Sequence, residues 1–337
     1  MTQGIAETFW RKAKKKQKLF LSLLSATAVL AVVSVSFGTY PMKLVHVVQS
    51  LFRLVDDTSS LVVWNIRLPR IAASLSCGSG LALAGLFIQT LLRNPLGSPS
   101  TLGISQGAAF GASCVIILFH ASPIWTAVAA FAGALGATML IVVLGRLRGL
   151  TPEAVILAGV ALSSLFGAAT VLLQVLSDET RLAMAVAWSF GDVGRSNWVQ
   201  ISWLSVAGIG LWILGFVWRW HLNALDMGEE PAKTLGISVE ALRWQGLIVA
   251  ALVAALATAF HGVIAFVGLI APHAARRIIG ADHRFLVPVA AVLGAALLLL
   301  ADTCSRLVLG TGSFPVGVVT SFLGAPLFLY LLLKKRP

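Results

Sequence analysis

The stretch that decides the fold is residues 94–145, NPLGSPSTLGISQGAAFGASCVIILFHASPIWTAVAAFAGALGATMLIVVLG. It runs for 52 residues without an Asp, Glu, Lys or Arg. A helix crosses the hydrocarbon core of a bilayer in about 20 apolar residues. The run is too long for one crossing and must fold back once. His120-Ala121-Ser122-Pro123 is the natural turn, because Pro and small polar residues punctuate helices. The start of the run differs in kind. Arg93-Asn94-Pro95-Leu96-Gly97-Ser98-Pro99 sets two prolines and a glycine in a rigid, non-helical corner.

The rest of the chain repeats the pattern. Further charge-free runs cover 19–42, 71–92, 154–177, 196–218, 244–275, 285–301 and 307–333. The 244–275 run is too long for one span and short for two. His261-Gly262 marks its turn, and Gly268 and Pro272 predict a short, broken return segment. The count becomes ten crossings, two of them short or irregular, in an all-α polytopic membrane bundle. An even count places both termini on one side.

Composition agrees with this reading. Of 337 residues, 58% are hydrophobic and 11% charged, with a mean hydropathy of +0.91. A soluble domain carries about 25% charged residues, and disorder needs low hydrophobicity, so both classes are excluded. The net charge of +12 would suggest nucleic acid in a soluble protein. Sorted by loop, it says something else. With the N-terminus in the cytoplasm, 18 Lys and Arg fall inside and 7 outside, together the 25 of the chain. That asymmetry follows the positive-inside rule. The basic segment RKAKKKQK at 11–18 closes a cytoplasmic N-terminus, residues 1–18, and leads into an uncleaved first span. The whole chain, 1–337, reads as one transmembrane domain. Cys77, Cys114 and Cys304 lie far apart in apolar runs and show no ligand spacing.

Three polar segments stand out. The longest internal one is 219–243, RWHLNALDMGEEPAKTLGISVEALR. It predicts two short cytoplasmic helices joined at Gly228 or Pro231, with Gly236 as a C-cap. Leu222, Leu225 and Met227 give one apolar face, and Ala232, Leu235 and Ile237 another. The segment is either a solvated connector or a docking element for a partner, and a connector needs only a few residues. The second segment is NIRLPR at 65–70. Arg67 and Arg70 share a helix face, and Arg306 lies at the same external level. They either snorkel to the interface or form a ring of charge for acidic groups on an external partner. The third is the Asn94 corner, which is a structural turn or a narrow internal gate.

Inside the spans, Gln89, Gln174, His261 and Asp302 are costly unless each faces a partner or a water-filled path. Asp302 and Arg306 are four apart and can pair on a helix. No relay of buried carboxylates runs through the spans, which weakens an ion-gradient-driven secondary transporter. No G-x-x-x-x-G-K-[ST] occurs, so any ATP must be bound by another chain. No nucleophile, acid/base pair or metal constellation points to an enzyme.

These segments carry a resemblance. NIRLPR at 65–70, LALAGLFIQTLLRNPLGSPSTLGISQGAAFGA at 81–112, LAGVAL at 157–162, GEEPAKTLGI at 228–237, FVGLIAPHAARRIIGADHR at 266–284, LLLLADTCSRL at 297–307 and PVGVVTSFLGAPLFLYLLLKK at 315–335 resemble the FecCD family of ABC-transporter permeases. That family imports iron-siderophore, haem and cobalamin. The resemblance implies a ten-span homodimer with the path at its interface. It implies two cytoplasmic ABC ATPase subunits that hold ATP and Mg, no cofactor or metal in this chain, and a periplasmic or lipid-anchored binding protein that delivers a metal chelate. The setting it implies is a bacterial or archaeal inner membrane. Ferric siderophore is the favoured cargo, with haem and cobalamin as alternatives. It further implies that Arg67, Arg70 and Arg306 dock the binding protein. Asp226, Gly228, Glu229, Glu230, Ala232, Leu235 and Gly236 would form the coupling helices that seat in the ATPase. Asn94, Pro95 and Leu96, with Pro152 and Glu153 in the neighbouring loop, would form the internal gate.

Overall fold

A computed structural model gives the architecture and describes residues 2–38, 40, 42, 44–52, 58–119, 122–308 and 314–333. Among the described residues every named element is helical. In chain order they are α1 (Thr2–Ser36), α2 (Leu44–Leu51), α3 (Thr58–Val62), a π-helical turn (Val63–Arg67), α4 (Leu68–Leu91), α5 (Ile104–Phe119), α6 (Pro123–Arg146) and α7 (Pro152–Val175). They continue with α8 (Glu179–Ser189), α9 (Trp198–Val217), α10 (Arg219–Met227), α11 (Glu229–Thr234), α12 (Val239–His261), α13 (Val267–Ile279), α14 (His283–Val308) and α15 (Val316–Leu333).

Among the described residues seven helices are long and apolar enough to cross a membrane, counting Thr58–Leu91 as one. Two more, Ile104–Phe119 and Val316–Tyr330, are apolar but shorter. The 94–145 run does fold back, as the α5–α6 hairpin, although its first ten residues are turn rather than helix. Of the proposed reversal, Ser122 and Pro123 are described, with Pro123 opening α6; His120 and Ala121 lie outside the described residues. The 244–275 run breaks at His261, where Gly262 adopts φ +75. The return segment is the 13-residue α13, with Pro272 inside it.

α1 runs without a break from Thr2 through the basic segment 11–18 into the apolar stretch. The polar insert is shorter than 219–243, because α12 begins at Val239. The last residues of the segment, Arg243 among them, belong to a spanning helix rather than a loop.

α4 is the hub. It packs against α9, α12, α13 and α14 and is buried along most of its length. Lipid tails are as apolar as side chains, so helix association in a bilayer depends on close packing. Small residues provide that here. A Cβ at Gly85 would lie 1.7 Å from the Gly268 carbonyl oxygen, and one at Gly78 would lie 2.3 Å from that of Gly294. Gly107 and Gly133 face each other's carbonyls in the α5–α6 hairpin, at 2.5 and 2.2 Å from such a Cβ. α7 is the opposite case. Val155 and Gly159 are its buried residues, one side is half-buried against α5 and α6, and the other is exposed.

The bundle has two distinct ends. At one, α10 lies beside α4 and the start of α14, and α11 reaches the end of α4 through Glu229 and Arg243. Lys16 of α1 also sits there, with its amine 5.3 Å from the Phe285 ring centre. At the other, Arg67, Arg70 and Arg306 gather. α15 starts at this second end, where the Gly317 N–H donates to the Gly191 carbonyl at 3.0 Å.

Gly85→Leu is expected to remove the α4–α13 contact and to lower the melting temperature of the detergent-solubilised protein sharply, since overpacking costs about 1–3 kcal/mol or more. Gly136→Ala has no atom within 4 Å of its new Cβ. It should melt with the parent in the same fluorescence-based thermal scan.

Candidate functional site

The arginine end is built around one carboxylate. Asp302 is fully buried on α14. Arg70 on α4 donates from Nε to its Oδ1 at 2.7 Å, and Arg306 Nε lies 3.2 Å from its Oδ2. The i, i+4 pairing of Asp302 with Arg306 is thus present, with Arg70 as a second partner. Arg70 also reaches Asp192 at 3.8 Å, in the turn after α8.

The arginines do not form a solvent-facing ring. Arg67 is 3% exposed and Arg306 7%. Arg67 donates to the carbonyls of Val35 at 2.6 Å and Tyr40 at 2.5 Å. Arg306 donates to the carbonyls of Phe37 at 2.8 Å and Ser34 at 3.2 Å, and to the Ser34 hydroxyl. These carbonyls belong to the last turn of α1 and the residues after it, where helix carbonyls lack intrahelical partners. Both guanidiniums are turned inward onto these backbone carbonyls, so neither Arg67 nor Arg306 snorkels to an interface.

The other end carries the insert. Its two short helices are present, α10 and α11, and Gly228 joins them with φ +139, a conformation that a Cβ disfavours. Gly236 follows α11 with φ +80. The apolar faces divide. Leu222, Leu225 and Ala232 are buried against the bundle, whereas Met227 is 67% exposed and Leu235 65%. Met227 and Leu235, with Trp220, His221, Asn223, Ala224 and Ile237, line a hollow of about 420 Å³. The neighbouring acids also divide. Glu230 is exposed and pairs with Lys233 at 3.1 Å, while Glu229 turns inward to Arg243 at 2.6 Å. Burial pushes the Asp226 carboxyl above the ordinary aspartate range, against the pull of Arg276 and Arg93.

α10 is tied to three other helices, α14, α4 and α13, by a polar cluster. The Asn223 Oδ1 accepts from the backbone N–H of His283 and lies 2.9 Å from its Nδ1. His283 Nε2 lies 3.1 Å from the Thr90 hydroxyl, which also accepts from Arg276 at 3.2 Å. An amide oxygen only accepts, so Nδ1 carries the proton of its contact with Asn223.

The Asn94 corner is held from within. Asn94 Oδ1 accepts the Leu96 N–H at 2.9 Å, an Asx turn, and the Asn94 N–H donates to the Gln89 carbonyl at 3.0 Å. Pro95 and Leu96 are exposed. Gln89 also donates to the Leu269 carbonyl at 3.1 Å. Pro152 and Glu153 do not occupy a loop: Pro152 opens α7, and Thr151 is its N-cap, accepting from Ala154 at 3.3 Å. Pro at the first helical position costs nothing there, because that N–H has no helical partner.

A transport-family model, the FecCD transport family, matches residues 26–334. The chain belongs to the FecCD transport family. It is 47% identical over 333 residues to MJ0087 of Methanocaldococcus jannaschii, named as an ABC transporter permease protein, across 95% of each chain. It is 37% identical over 320 residues to the hemin transport system permease HmuU of Yersinia pestis, across 93% of this chain and 95% of that one. A solved structure described as a metal-chelate type ABC transporter, in an inward-facing conformation, superposes with a TM-score of 0.85 at 33% identity. The match covers 95% of this chain and 100% of that one. As a FecCD member the protein is a multi-pass membrane protein of the cell membrane and a transport permease subunit, not an enzyme. Permeases of this kind work with separate ATPase subunits and binding proteins.

Sequence reading missed four residues of these FecCD clusters. Asp192, Asn223 and His283 sit in polar surroundings that give no local signal. Arg243 read as one more basic residue of a loop, and only its place at the start of α12 exposes its role as a buried brace.

Asp302→Asn keeps the shape of the side chain and removes its charge, leaving Arg306 without its counter-ion and Arg70 with Asp192 at 3.8 Å. Breaking a buried ion pair costs about 3–5 kcal/mol. The variant is expected to lose thermal stability in detergent on that scale, and a melting curve matching the parent would contradict the network.

Proposed function

We propose that this chain is the membrane-spanning subunit of an ABC importer that moves a metal chelate into the cell. The observation that carries the reading is the family match over residues 26–334, together with the fold likeness across 95% of the chain. Ferric siderophore is the proposed cargo. Relatives are named for hemin, cobalamin and iron(3+)-hydroxamate import, a spread that suits a permease whose cargo is selected chiefly by its binding protein.

The proposed assembly is a homodimer with two ATPase subunits and one binding protein. The outward-facing surface of α7 supports a partner copy within the membrane. The path then lies between copies, where a wide polar chelate can pass. In the proposed topology α5, α13 and α15 complete ten crossings with the seven long helices, and both termini are cytoplasmic. The insert end faces the cytoplasm and the arginine end faces outward. Met227, Glu230 and Leu235 present the surface for the ATPase, supported from behind by Asp226, Gly228, Glu229, Ala232 and Gly236. Arg67, Arg70 and Arg306 act at the binding-protein end by fixing α1, α4 and α14, with Arg70 the one placed to meet an acidic group as well. Asn94, Pro95 and Leu96, with the start of α7 at Pro152 and Glu153, form the inner constriction.

The chain does no covalent chemistry in this scheme and holds no cofactor; ATP and Mg are bound by the ATPase. ATP binding closes the ATPase pair, and the insert carries that closure into the bundle. Such a shift requires that ATP binding favour one access state over the other. An ion-gradient-driven transporter is the competing class. Among the described residues Asp302 is the buried carboxylate, and it is engaged by Arg70 and Arg306, so it is poorly placed to carry a proton across.

Proteoliposomes holding permease, ATPase and binding protein are expected to accumulate a radiolabelled ferric hydroxamate chelate only with ATP inside. Deleting Glu229 and Glu230 should abolish that accumulation. Unchanged uptake would sink the coupling assignment, and uptake driven by a proton or sodium gradient without ATP would favour the competing class.

A further inference from the structure

Arg243 lies one turn into α12 and is 2% exposed. Its guanidinium makes three contacts in three directions. Nε donates to the Leu91 carbonyl at 2.9 Å, Nη1 to the Leu150 carbonyl at 2.7 Å, and Nη2 to Glu229 Oε1 at 2.6 Å. Leu91 is the last residue of α4 and stands just before the Asn94 corner. Leu150 is held at φ +51 in the turn between α6 and α7, just before Thr151 and Pro152. Glu229 opens α11 of the insert. One side chain thus joins the insert to both turns that border the proposed constriction.

We infer that Arg243 is a positioning residue that transmits displacement of the insert to the Leu91 and Leu150 turns through its pair with Glu229. The inference rests on the importer reading. A planar guanidinium holds several acceptors at fixed mutual angles, so movement of one is imposed on the others. Charge-assisted bonds of this length resist pulling as well as pushing. The backbone carbonyls engaged are main-chain atoms, so the motion reaches the path of the chain itself. α10 is anchored separately, through Asn223 to His283. Loosening Arg243 therefore leaves the insert attached while removing the polar tie of its second helix to the two turns. The close packing of Gly246 on Leu91, where a Cβ would lie 2.5 Å from a Leu91 methyl, gives α12 and α4 a shared surface along which to move.

The test follows the two turns directly. Spin labels are placed at the exposed positions Leu96 and Leu147, as cysteines in a background with Cys114→Ser and Cys304→Ser. The full complex with its ATPase is studied by double electron–electron resonance, with and without trapped ATP. The parent is expected to change its Leu96–Leu147 distance distribution on trapping. Arg243→Lys keeps a charge near Glu229 but cannot hold both carbonyls, and Glu229→Gln removes the charge from the pair. Each is expected to lose most of the ATP-dependent change, and the double variant should lose no more than either single one, the non-additivity of residues acting as a unit. ATP hydrolysis by the Arg243→Lys complex should persist while chelate uptake per ATP falls about tenfold, a coupling energy of about 1.4 kcal/mol. A residue that merely braced the fold would leave that ratio unaltered. Parent-like distance changes in both single variants, or additive losses in the double, would overturn the inference while leaving the importer reading in place. A parent that transports with ATP but shows no change between the turns would overturn it as well. An unlabelled complex without ATP-driven uptake would overturn the importer reading and this inference together. If Arg243→Lys does not purify as a monodisperse complex, Glu229→Gln decides the question alone.

Discussion

A helix that ends within or near a bilayer leaves carbonyls that lipid cannot satisfy, and this constraint organises both ends of the bundle. Each helix has four such carbonyls at its C-terminus, and an unpartnered polar group in hydrocarbon costs several kcal/mol. The chain meets the demand with buried arginines. Arg67 and Arg306 serve the end of α1, and Arg243 serves the end of α4 and the turn before α7. A guanidinium suits the task because it offers five donors in a fixed plane. It also brings a charge that must be balanced, which accounts for Asp302 at one end and Glu229 at the other. Bundle closure and charge placement are in this sense one problem.

The same economy of contact shapes the middle of the bundle. Water drives little of the association between spans, so backbone proximity has to do so. Gly85 against Gly268, Gly78 against Gly294 and Gly107 against Gly133 bring main chains together at distances that exclude any side chain. α4 carries the first two of these contacts, and both polar ends hang from it: Arg70 projects from its first turn and Leu91 closes its last. A displacement of α4 relative to α12 or α14 would be felt at both ends. That is the geometry an alternating-access protein needs, with ligand-linked preference between states supplied from outside.

Much of this was legible in the residues. The 94–145 run required a reversal by its length alone, and the break at His261-Gly262 followed from the same arithmetic with a glycine to mark it. The two helices of the insert and the Gly228 junction were visible because Gly and Pro act locally through backbone dihedrals. The Asn94 corner was visible for the same reason. The orientation of the arginines was not. A sequence gives the level of Arg67 and Arg306 in the membrane but not the direction of their side chains. The α1 carbonyls that turn them inward are about 30 residues from Arg67 and about 270 from Arg306 in the chain. Arg243 was misplaced because the boundary of α12 falls inside the polar segment, so a buried brace looked like a loop charge.

The sequence by itself determined a membrane-spanning helical chain, its reversals, its insert and its family, because hydropathy, glycine and proline act over short stretches and the bilayer fixes the length of each. Only the tertiary structure decided which polar groups meet. It paired Asp302 with Arg70 as well as Arg306, turned Glu229 inward and Glu230 outward, and set Arg243 between the insert and two turns. Those outcomes depend on which helix faces lie against one another, and helix facing is fixed by packing among distant segments.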